Sequence, residues 1–193
     1  MTAILCLLLM LAPVQVEKGR FTIFKDGKKI GTNEFSVARR EAGYAMEGRV
    51  NIGDLNVESK MELDDKLRPT SYEVANREGT IRVKVTDPIS EIQTTVRGEP
   101  PTTADFRFPE AGVILDNNFF HHYLLLLYRA QSGETSLPVF VPQDMSIGSA
   151  VVRKTGDRTY ALEVGDVRLE AATDGEGKLI KLEVPAANVV VER

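Results

Sequence analysis

The sequence predicts a mainly β protein: an antiparallel meander forming a curved sheet or half-open barrel, with one helix packed on its concave face. Three observations predict it. Short runs with apolar residues at alternate positions recur along the 193 residues, with turn signals every ~8–12 residues between them. Outside the N-terminal leader only one stretch reads as a helix, DNNFFHHYLLLLYR over Asp116–Arg129. That stretch is apolar around well over half its circumference, so more than one of its sides must be covered.

The chain opens on an apolar run, Ala3–Ala12, ended by Pro13 and followed by the polar Glu17-Lys18-Gly19-Arg20. This resembles the core and end of a secretory signal peptide, although the usual basic start is missing. A leader over 1–16 is expected, with cleavage near Val14–Val16. Ala3-Ile4-Leu5-Cys6 is a loose lipoprotein box. Cys6 is the one cysteine, so a mature chain has no thiol for a disulfide, a zinc cluster or a nucleophile. The expected location is periplasmic or secreted. Residues 17–193 suffice for a single β-rich domain with a real core.

From Phe21 the chain alternates. Asp26-Gly27 marks a tight hairpin turn, since both central positions of a type I′ turn need positive φ. The return strand Lys28–Ala38 contains Gly31, a site for a bulge or a close approach. Strands follow over Gly43–Ile52 and Leu55–Leu63, the second alternating cleanly between Leu55, Val57, Ser59, Met61, Leu63 and Asn56, Glu58, Lys60, Glu62. Asp64-Asp65-Lys66 turns the chain into Pro69–Asn76, Thr80–Thr86 and Ile89–Val96. Gly98–Ala111 reads as irregular because Pro100-Pro101 and Pro109 break a ladder.

The helix is expected over 117–129, capped by Asp116 or Asn117 and stopped before Gly133. Its Leu124–Leu127 run is far short of the ~20 apolar residues a membrane span needs. Six further strands are expected: Leu137–Val141, Ile147–Lys154, Thr159–Val164, Asp166–Thr173, Lys178–Val184 and Asn188–Glu192. Asp174-Gly175-Glu176-Gly177 is a strong turn among them.

Several function classes are poorly supported. The net charge is −4 with both signs interspersed, which supplies no basic patch for nucleic acid. His121 and His122 are the only histidines; as helical neighbours they point ~100° apart, and none of their i±4 partners is a metal ligand. Neither Ser132-Gly133 nor Gly148-Ser149 provides a nucleophile elbow, and no glycine-rich loop leads into a helix. No catalytic residue, metal or cofactor is therefore assigned. One polar seam stands out on the helix, Asn118, His122 and Arg129 with His121 at its edge. It would either hold the head group of an amphiphile or form the solvent side of the helix. The tail would lie in a hollow lined by Leu55, Val57, Met61, Ile81, Val83, Phe119, Tyr123 and Leu127.

Three motifs carry a resemblance: Phe24-x-x-Gly27-Lys28-x-Ile30-Gly31, then Leu67-x-Pro69-x-Ser71-Tyr72, then Asp174-Gly175-x-Gly177-Lys178-Leu179-Ile180-x-Leu182-x-Val184-Pro185. The chain resembles exported β-rich proteins of bacterial envelopes built on a domain of unknown function. These are similar in architecture to the half-barrel carriers of the lipoprotein-sorting pathway. The resemblance implies a curved antiparallel sheet and an envelope location, and brings no catalytic residues with it. The leading expectation is a non-enzymatic envelope protein that binds or carries a lipid or other amphiphile. The alternatives are a scaffold whose partner is another envelope protein, and a hydrolase using the His121/His122 region.

Overall fold

The computed structural model describes residues 14–117 and 119–193. Residues 1–13 of the expected leader, and Asn118 of the expected seam, lie outside the described residues. Val14–Val16, where cleavage is expected, form the start of the first strand.

Alternation in the sequence becomes sidedness in the sheet. In Leu55–Leu63 the residues Val57, Ser59, Met61 and Leu63 are buried, while Asn56, Glu58, Lys60 and Glu62 are exposed. Among the described residues fifteen such strands build one sheet. The first half is β1 (Val14–Lys25), β2 (Lys28–Arg40), β3 (Gly43–Ile52), β4 (Leu55–Leu63), β5 (Pro69–Ala75), β6 (Gly79–Lys84), β7 (Ser90–Val96) and β8 (Thr102–Phe106). The second half is β9 (Val113–Ile114), β10 (Ser136–Val141), β11 (Ser146–Lys154), β12 (Thr159–Val164), β13 (Val167–Thr173), β14 (Leu179–Val184) and β15 (Val189–Glu192). Each strand pairs antiparallel with its chain neighbour, except that β8 and β9 do not pair and β9 lies parallel to β10; β1 also pairs antiparallel with β15 in mid-sheet. β8 and β9 are therefore the two edges. The expected class, mainly β with one curved sheet, is the one observed.

Register carries the apolar face from strand to strand. Met46, Met61, Tyr72, Val83 and Ile92 are successive cross-strand partners on one side. Ile23, Val191, Leu182 and Ala171 continue the same face in the other direction. The opposite face carries exposed ion pairs such as Arg49–Glu58, Arg82–Glu73 and Arg153–Glu163, each worth little in stability. That charged exterior is unlike the apolar band of an outer-membrane barrel. Among the described residues no helix is long and apolar enough to cross a membrane. At Gly31 both readings hold: the β1–β2 register shifts beside it, and a Cβ there would overlap the Asn51 carbonyl.

Gly98–Ala111 is not wholly irregular, because β8 occupies Thr102–Phe106. The two prolines stop short of the strand, and an edge strand tolerates the amides that Pro100-Pro101 cannot supply.

The edges meet by overlap rather than by a ladder. On β10, Leu137 and Val139 face the interior, so Phe140 faces outward; on β9, Ile114 faces outward too. Yet Phe140 and Ile114 are as buried as the core. Phe106, on the inward face of β8, stacks on Phe140 with ring centroids 4.6 Å apart, and Phe108 meets the same ring edge-on at 5.9 Å. The concave side of one edge thus lies over the convex side of the other, like a rolled scroll.

The helix fills the roll. A 3-10 turn over Phe120–His122 leads into α1 (Tyr123–Gln131), so helical structure begins three residues later than expected from position 117 and runs two past Arg129. No side chain caps the N-terminus, and the Asp116 carboxylate is engaged elsewhere; at the C-terminus the Ser132 hydroxyl donates to the Tyr128 carbonyl at 3.2 Å. Leu124, Leu125, Leu126 and Leu127, four consecutive residues that cover a full helical turn, are all at most 1% exposed.

Because the seam closes through side chains alone, Phe140→Ala should destabilise the fold by about 3–5 kcal/mol in urea denaturation. A loss below about 1 kcal/mol would show that the overlap contributes no packing.

Candidate functional site

Two features converge at the start of the helix: a buried polar cluster, and an open apolar cleft beside it. The cluster begins with an inward glycine. Gly48 on β3 lies directly beneath His121, and a Cβ there would overlap the imidazole. Asn33 on β2 receives both the His121 backbone amide, at 3.0 Å, and ring Nδ1, at 3.1 Å, on its Oδ1. The Asn33 amide nitrogen donates to the Glu34 and Arg49 carbonyls, which fixes Oδ1 as the acceptor. His121 therefore carries its proton on Nδ1. Its Nε2 is left to accept from Ser59 Oγ, 3.4 Å away on β4.

His122 has the opposite tautomer. Its Nδ1 accepts from the Asp116 backbone amide at 3.2 Å, so the neutral ring carries its proton on Nε2. The ring stacks on Phe119, with centroids 5.1 Å apart, and meets Tyr72 edge-on. The Tyr72 hydroxyl donates to Asp116 Oδ2.

Burial sets the protonation. It pushes His121 down to about 3 and, with the neighbouring imidazole, holds His122 well below the usual range. It raises Asp116 to about 7, against the lowering effect of the Tyr72 hydroxyl and the Asn117 amide. Tyr72 is raised by burial first and by the Asp116 charge second. At neutral pH both imidazoles are uncharged.

Ser59, His121 and Asn33 form a hydroxyl–imidazole–amide chain in the order of a nucleophilic relay. Three features weigh against that chemistry. Ser59 is 3% exposed, the Ser–His separation is long, and an imidazole with a pKa near 3 is a poor general base. Among the described residues no group of three or more His, Cys, Asp or Glu side chains could hold a metal.

The cleft lies at one end of β4–β7. Leu55, Val57, Val74, Ile81 and Val96 supply its apolar lining, and its polar lining comes from Asn117 and Gln143 and from Asn76, Glu78, Thr80, Thr94 and Thr95 at the strand ends. Its volume is about 300 Å³. The Asn117 backbone amide donates to Gln143 Oε1, which ties the two polar residues together.

The expected site residues separate into three groups. Leu55, Val57 and Ile81 line the cleft. Met61, Val83, Phe119 and Leu127 are at most 2% exposed and pack as core, and Tyr123 packs against that core half-buried. The hollow expected among them is filled, because the leucine run of α1 presses on every side. Of the polar seam, His122 and Arg129 are both buried. His122 is enclosed at the front of the helix. Arg129, 2% exposed, donates from Nη1 to the Ala111 carbonyl at 2.8 Å and pairs with Glu134, tying the helix end to the β8–β9 connection. Asn33, Ser59, Tyr72 and Asp116 were not foreseen as partners. Ser59 did leave a signal: a hydroxyl at an inward position of a strictly alternating strand.

No family model matches the chain, and no curated protein matches it. Among solved structures, the chain is similar to a β-barrel-like protein of the domain of unknown function DUF1849 from Brucella abortus, with a TM-score of 0.54 and 11% identity. The similarity covers 91% of this chain and 94% of that one. At that identity it carries the fold, and it agrees with the β-rich architecture expected.

Gly48→Ala should destabilise the protein by about 1–3 kcal/mol, because the His121 ring must shift to admit a methyl group. Thermal melts of the variant check this. The pH dependence of stability follows from the shifted groups. Asp116, with its folded pKa raised to about 7, stabilises fully below about pH 4, and that contribution is lost as pH rises toward 7. The histidines act oppositely: the unfolded chain takes up protons below about pH 6.5 that the folded chain refuses. Between about pH 4 and 6.5 the two imidazoles outweigh the one carboxyl. These groups alone should make stability rise with pH by about 1.4 kcal/mol per pH unit. Asp116→Asn should roughly double that slope, as read from urea titrations across the window.

Proposed function

We propose that the protein is a non-enzymatic binder or carrier of a hydrophobic or amphiphilic molecule in the cell envelope. The observation that carries this reading is the cleft of about 300 Å³, which combines Leu55, Val57, Val74, Ile81 and Val96 with polar groups that include Glu78, Asn117 and Gln143. Its volume sits at the lower end of small-molecule sites. Exposed Leu55 and Val96, 36% and 43% accessible, extend the apolar surface to its mouth. The apolar run Ala3–Ala12 supports export.

A scaffold role through the sheet edges is less well supported. The exposed edge β8 begins Thr-Thr-Ala-Asp directly after two prolines, a composition that discourages pairing with another strand. The hydrolase alternative rests on the Ser59–His121–Asn33 chain, whose burial and weak base argue against it.

Purified protein should take up an environment-sensitive fluorescent aliphatic probe with saturable binding, and Ile81→Trp should abolish uptake by filling the cleft while leaving the melting curve within a few degrees of wild type. Absence of saturable uptake by the wild type would sink the carrier reading.

A further inference from the structure

We propose that the cleft takes an amphiphile with a cationic head group, held at the mouth by the carboxylate of Glu78 while its aliphatic tail lies along Val74 and Ile81. This deepens the carrier reading and rests on it. Among the described residues that line the cleft, Glu78 is the one charged side chain. The rest of the polar lining is uncharged: the amides of Asn76, Asn117 and Gln143, and the hydroxyls of three threonines. No lysine, arginine or histidine joins them. Arg77 and Arg97 flank the cleft in the chain, next to Glu78 and Val96, but both lie outside the lining.

The strands order the cleft from mouth to floor. Glu78 sits in the turn just before β6, and Ile81 lies three residues, about 10 Å, further along that strand. Val74 is the cross-strand partner of Ile81. Burial rises in the same direction, since Glu78 is exposed and Val74 only 6% so. The turn Pro142–Asp144 packs on β6 and brings Gln143 to the lining. A tail laid along Val74 and Ile81 therefore leaves its head beside Glu78.

The backbone of Glu78 is fixed within the sheet end. Its amide donates to Asn76 Oδ1 at 2.9 Å, and its carbonyl accepts from the Arg97 amide at 2.7 Å. Its carboxylate makes no hydrogen bond or ion pair with the described residues. That unpaired charge selects the head group. An anionic head is repelled, with no cation in the lining to offset the repulsion. A neutral head strips water from the carboxylate and supplies no charge in its place. A cationic head replaces that water with an opposite charge.

The test compares decyltrimethylammonium with decyl sulfate by calorimetry at low ionic strength, both below the concentration at which they form micelles. The two share one tail and differ in the sign of the head. The cation should bind about three- to tenfold more tightly, as a partly exposed charge supports. Glu78→Gln should erase that preference. Glu62→Gln removes the same charge from the outer face of β4 and should keep it, which separates the cleft from the net charge of −4 on the whole chain. Equal binding of the two amphiphiles, tighter binding of the sulfate, or a preference that Glu78→Gln changes no more than Glu62→Gln does overturns the head-group assignment and leaves the carrier reading standing. So does binding of neither while the fluorescent aliphatic probe is still taken up. Binding of neither with no uptake of the probe overturns both.

Discussion

His121 reaches Asn33 twice, once through its main-chain amide and once through its ring, and it rests on a glycine that leaves it room. The placement of the helix depends on this anchorage. A segment with four consecutive buried leucines has little rotational preference, since apolar packing is nearly the same on all sides. Directional bonds to one asparagine remove the ambiguity. The polar cluster therefore sets orientation as well as chemistry. Burial of the same cluster keeps both imidazoles neutral.

The same anchorage determines where space remains. The leucine run fills the middle of the roll, and Arg129 ties its far end to the Ala111 carbonyl. The inward face of β4–β7 extends beyond the helix start at the end where Leu55 and Val96 lie. Asn117 and Gln143 line the cleft there together with the polar residues at the ends of β5–β7, among them Glu78 and Thr94. The cleft is thus what the sheet leaves uncovered once the helix has been locked in place.

Period-two alternation made the sheet legible in the sequence, because the faces of Leu55–Leu63 and Thr80–Thr86 are written residue by residue. The helix was legible from its all-round apolarity. The scroll closure was not. Phe140 alternates to the outer face, and nothing local shows that Phe106 and Phe108, over thirty positions earlier, would cover it. β8 was hidden for a related reason, since prolines before an edge strand resemble prolines in a loop. At the site, Leu55, Val57 and Ile81 were legible as lining because they lie near the open ends of alternating strands. Met61 and Val83, on the same face, became core because the helix reaches them. For His122 and Arg129, helical spacing gives direction but not what stands opposite. Tyr72 and Asp116 supply the missing counterpart, and their meeting depends on tertiary structure.

Pairing of β1 with β15 in mid-sheet has a kinetic meaning. Phe24 lies beside Val190, so segments far apart in the chain must close a very large loop before the ladder is continuous. The local hairpins on either side can form early, but the join between the two halves cannot nucleate from neighbours. The loop-closure entropy of that join therefore falls on one ladder instead of being spread over the hairpins.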